Sequence, residues 1–121
     1  RQRQMCIRDS FVQCGEDTAK CWDALRPYIV YIHIKDAVST DKENVLCGTG
    51  EGKIPELLHK AIVEEGYTGF LTLEPHLVLF DSLQSLETTD AKNIIRENKY
   101  KNGAEGYAAQ YHALCDILAK F

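Results

Sequence analysis

Apolar positions change their period several times along the chain. From EDTAKCWDALRPY (16–28) into the residue after it, Trp22, Leu25 and Ile29 recur at i, i+3 and i+7. That spacing predicts a helix with acidic residues in its first turn, stopped by Pro27. PYIVYIHIKD (27–36) follows, dense in β-branched and aromatic residues and apolar on both faces, as a buried parallel strand should be. In IPELLHKAIVEEG (54–66), Ile54, Leu57, Leu58, Ala61 and Ile62 form one stripe at i, i+3, i+4, i+7 and i+8. Pro55 suits the first helical turn there and Gly66 the stop. YTGFLTLEPH (67–76) predicts a second buried strand ending at Pro75. The chain closes on EGYAAQYHALCDILAKF (105–121), a helix whose expected buried face is Tyr107, Tyr111, Leu114, Cys115 and Leu118.

Between these elements the chain is irregular. FVQCG (11–15) reads as the tail of a strand or loop. Ala37 to Lys53 is polar and punctuated by glycine in GTGEG (48–52). The stretch from Leu77 to Gly103 is irregular apart from an expected short helix at 91–97. The order helix, strand, helix, strand, helix predicts an α/β fold in which a helical crossover joins two parallel strands. Two parallel strands alone leave both sheet edges unpaired, so the pattern is expected of one part of a larger sheet.

Composition sets outer bounds. The 121 residues suit one small domain and are 45% hydrophobic and 26% charged, with a formal charge of −4. An acidic chain argues against a nucleic-acid partner held by charge. The apolar runs are far too short to span a membrane. The five cysteines, Cys6, Cys14, Cys21, Cys47 and Cys115, form no CxxC pair and are odd in number. Reduced thiols in a cytoplasmic protein are therefore expected, not a disulfide framework or a zinc ribbon.

The opening RQRQMCIRDS (1–10) fits no helix or strand period. It lacks the apolar run of a secretory signal and the length of a transit peptide. Read back into codons, it matches end to end the mosaic end of a transposase adapter used in preparing sequencing libraries. Residues 1–10 are therefore expected to be foreign to the protein, and 11–121 to be the C-terminal portion of a longer domain. Without the first ten residues the chain carries −6.

The candidate chemistry lies at the C-terminal ends of the two strands. By the two-residue period, Ile29, Tyr31, His33 and Lys35 share one face of the first, and Phe70, Thr72, Glu74 and His76 one face of the second. If the strands are neighbours, His33 and Glu74 project from equivalent ends, where sites of parallel α/β folds lie. An imidazole and a carboxylate placed there can ligate a divalent metal, and the carboxylate can also move protons. Lys35 could bind a substrate oxygen or phosphate, or pair with a carboxylate. Asp36 could orient His33 or Lys35 from behind, and His76 could reach substrate or anchor a loop. GTGEG lacks the Lys-Ser/Thr of a phosphate-binding loop, so a tight turn is expected, not a nucleotide cradle.

YIHIKDA (31–37), GTGEGKIPELLHKAI (48–62) and GYTGFLTLEPHL (66–77), in that order, resemble the end of the sugar phosphate isomerase/epimerase group, with its xylose isomerase-like TIM barrel. The likeness is close over 16–79 and looser beyond. It implies that the chain supplies about strands 7–8 and helices 6–8 of a (β/α)8 barrel, incomplete by itself. It implies one divalent metal ion (Mn, Mg, Co or Zn) with His33 as the ligand on the seventh strand and Glu74 as the ligand on the eighth. A Glu and an Asp on the fifth and sixth strands would precede Phe11; Glu16 and Asp17, in a predicted helix, do not match them. The implied activity is isomerisation or epimerisation of a sugar or sugar phosphate by proton transfer through an enediolate. Glu74 would then be both ligand and catalytic carboxylate. The portion 11–121, lacking the second carboxylate, is expected to be inactive by itself. Inosose dehydratase, an apurinic-site endonuclease and a non-catalytic sugar-binding module are the alternatives. The acidic surface disfavours the endonuclease.

Overall fold

The computed structural model describes residues 12, 14–40, 43–74, 76–78 and 99–121. The foreign-looking opening, Phe11 and the expected helix at 91–97 lie outside them. Helix α1 spans Thr18–Leu25. Asp17 caps it, its carboxylate accepting from the N–H of Ala19 at 2.9 Å and of Lys20 at 3.4 Å. These two bonds, ahead of the Lys53 charge, hold the Asp17 carboxyl below its usual range. Pro27 sits in a 3-10 turn, Arg26–Tyr28, that ends the helix as expected.

Strand β1 is Ile32–Ile34, the core of the predicted strand, and its two isoleucines have no exposed surface. The expected irregular stretch after it contains a small antiparallel pair: β2 (Asp36–Ala37) faces β3 (Asn44–Val45), with Asp36 opposite Val45 and Ala37 opposite Asn44. Helix α2 is Ile54–His59, with Pro55 in its first turn, and passes into a π-helical turn, Lys60–Glu64, before Gly66. Strand β4, Leu71–Leu73, pairs in parallel with β1: Ile32 with Leu71, His33 with Thr72, Ile34 with Leu73. The two strands are shorter than the apolar runs that encode them, because pairing requires both partners and stops where either leaves the ladder. Helix α3 is Gly103–Leu118. Asn102 caps it by accepting from the Glu105 N–H at 2.9 Å, while Glu105 reaches back to the Lys101 N–H at 2.8 Å.

One core unites these elements. Trp22 from α1, Ile29, Ile32 and Ile34 around β1, Ile54, Leu57, Leu58 and Ala61 from the crossover, and Leu114 and Ile117 from α3 pack as a single cluster. Each fully buried Ile or Leu contributes about 1.5–3 kcal/mol to holding the layers together. The Trp22 indole N–H is not wasted: Glu65 accepts it at 3.3 Å and also pairs with Arg26, fastening α1 to the end of the crossover. Tyr67 reaches the carbonyls of Phe70, at 3.0 Å, and Val30, at 3.4 Å, and so ties the entries of both strands.

The buried face of α3 differs from the expected one. Gly106, Gln110, Leu114 and Ile117 are buried, whereas Tyr107 and Tyr111 are about half exposed. Gly106 allows close approach to Val78, whose Cγ2 would stand 3.2 Å from a Cβ there. Gln110 accepts the backbone N–H of Cys47 at 3.1 Å and its carbonyl receives the Cys47 thiol at 3.8 Å. Burying a glycine and a glutamine turns the helix away from the stripe its tyrosines suggest.

Cys47 yields a test of this contact. Burial, then the charge of Asp36, pushes its thiol from 9.0 up to about 11. Between those values the unfolded chain releases the proton that the folded chain keeps, so this group's contribution to stability falls as pH rises from 9 toward 11. Urea midpoints measured over that range should decline more steeply for the wild type than for Cys47→Ala; equal slopes would remove the thiol from the core.

Candidate metal centre

The parallel register decides what meets at the C-terminal end of the sheet. His33 lies beside Thr72, and the ladder continues one bond further, the Glu74 N–H donating to the Ile34 carbonyl at 3.0 Å. Side chains two residues apart share a face. Tyr31 and His33 on one strand therefore stand next to Thr72 and Glu74 on the other. His33 Nδ1 lies 2.7 Å from Glu74 Oε1, with both side chains largely covered. Despite that distance, Nδ1 makes no aligned hydrogen bond and is closed to solvent. The two atoms converge without satisfying one another.

The register thus brings an imidazole nitrogen and a carboxylate oxygen together at one end of the sheet. Imidazole nitrogen with carboxylate oxygen suits Zn, Mn or Co and is compatible with Mg through the carboxylate. Among the described residues no third His, Cys, Asp or Glu joins the pair.

Tyr31 and Thr72 frame this pair. The Tyr31 ring stands edge-on to His33, centroids 4.8 Å apart at 74°, and its hydroxyl is hydrogen-bonded to Thr72 Oγ1 across the strands. The imidazole is thus held on one side by a ring that is itself anchored to the strand carrying Glu74. Neither residue stands out as a candidate ligand, but both lie two positions before a candidate, which the strand period alone can reveal. In Tyr31→Phe the ring stays and the anchor goes. The variant should fold with a urea midpoint close to the wild type while the His33 imidazole NMR lines broaden from added motion. Sharp, unshifted lines would deny Tyr31 this positioning role.

The other candidates are placed differently. Lys35 is half-buried two residues past His33. His76 is exposed and adopts φ +39°, so the strand alternation that aligned it with Glu74 ends before it. Its carbonyl accepts from Asn44 Nδ2 at 3.4 Å.

Asp36, 1% exposed, does something that the expectation of an orienting partner for His33 or Lys35 did not include. Its Oδ2 accepts from the N–H of Gly48 at 2.9 Å and Gly50 at 3.0 Å; its Oδ1 accepts from Gly52 at 2.9 Å and Ala37 at 3.0 Å. A Cβ on Gly50 would stand 2.4 Å from Oδ1 and 2.6 Å from the Ala37 carbonyl, so the loop can close on the carboxylate only as glycine. GTGEG is a tight loop whose N–H groups hold an anion, and the anion is the chain's own side chain. Thr18 ties α1 to the same loop by donating to the Gly52 carbonyl at 3.2 Å.

No family model, curated protein or solved structure matches this chain. Among the described residues, no helix is long and apolar enough to cross a membrane.

Proposed function

We propose that this chain is the C-terminal portion, about strands 7–8, of a (β/α)8 barrel that isomerises or epimerises a sugar or sugar phosphate with a divalent metal. The observation that carries the reading is the convergence of His33 Nδ1 and Glu74 Oε1 to 2.7 Å at matching ends of adjacent parallel strands, with Nδ1 otherwise unsatisfied. His33 and Glu74 are the residues that would hold the ion, with further ligands from outside the described residues. A divalent cation bound there would supply polarisation of a substrate carbonyl and acidify the C–H beside it. Glu74 supplies the carboxylate that takes up or returns a proton at that carbon. Tyr31 and Thr72 keep the imidazole and carboxylate in register, and the buried flank of Ile32 and Ile34 excludes water from behind them. Lys35, on the same face, is assigned to a substrate oxygen.

Manganese is a direct probe, because it broadens NMR lines of nearby nuclei. Added Mn2+ should broaden the His33 imidazole resonances of the wild type selectively, and Glu74→Gln should remove most of the effect. Equal broadening in both, or none at His33, would sink the metal assignment.

A further inference from the structure

We draw no further inference here: the strongest candidate, the exposed apolar patch of Tyr28, Val30 and Phe70 at the entries of β1 and β4, carries nothing, because nothing in the structure shows what covers it.

Discussion

Asp36→Ala is expected to lower the stability of the folded chain by about 3–5 kcal/mol. The substitution strands four backbone N–H groups, of Ala37, Gly48, Gly50 and Gly52, that now share one carboxylate. A buried donor left without a partner costs about 1–3 kcal/mol. Water can reach the outer part of the loop, since Gly48 is exposed and Gly50 half-buried, so the net loss should be about 3–5 kcal/mol. That is a large share of the 5–15 kcal/mol typical of a folded domain. Asp36→Asn should be intermediate: it keeps the shape but turns one acceptor into a donor facing other donors. Gly50→Ala should match Asp36→Ala, because its methyl would occupy the space of the Oδ1 atom. Urea unfolding followed by far-UV circular dichroism gives the comparison. An Asp36→Ala midpoint equal to the wild type would show that the loop closes without the carboxylate.

On the proposed reading, His33→Ala or Glu74→Gln in the full-length barrel should reduce metal-dependent turnover by about a thousandfold or more. Each would remove a proposed ligand, and the second also the carboxylate assigned to proton transfer. The two losses should differ in kind. His33→Ala should be partly restored by raising the metal concentration, since it weakens binding and leaves Glu74 in place. Glu74→Gln should not recover, because an amide cannot take up the proton however full the site is. Activity assayed against metal concentration separates the two, with the α-carbon proton exchange rate as a second readout. Unchanged turnover in both variants would refute the site.

Much of the frame is legible in residue order. The Asp17 cap, the Pro27 stop, the stripe from Ile54 to Ala61 and the apolar runs around Ile32 and Leu71 each carry their own local signal, and each element forms where its signal lies. The meeting of His33 with Glu74 is legible too, because two strands joined by one crossover and ending in polar residues leave little freedom in register. Two features were hidden for a physical reason. The partners of Asp36 are backbone N–H groups, which have no side-chain pattern, so its carboxylate looked available for the site. Gln110 and Gly106 read as polar and neutral, yet both are buried because a neighbour needs an acceptor in one place and space in the other. Tyr107 and Tyr111 carried the stronger apolar signal and lie outside.

The loop around Asp36 also bears on the order of assembly. Its bonds join residues 12, 14 and 16 positions apart, whereas Ile32 must find Leu71 across the whole crossover. Closing roughly 14 residues instead of roughly 40 costs about 0.9 kcal/mol less chain entropy. The carboxylate knot can therefore form while the strands are still apart. It would then present β1 with its C-terminal end already pinned, so that the late event in folding is the arrival of Glu74 beside a waiting histidine.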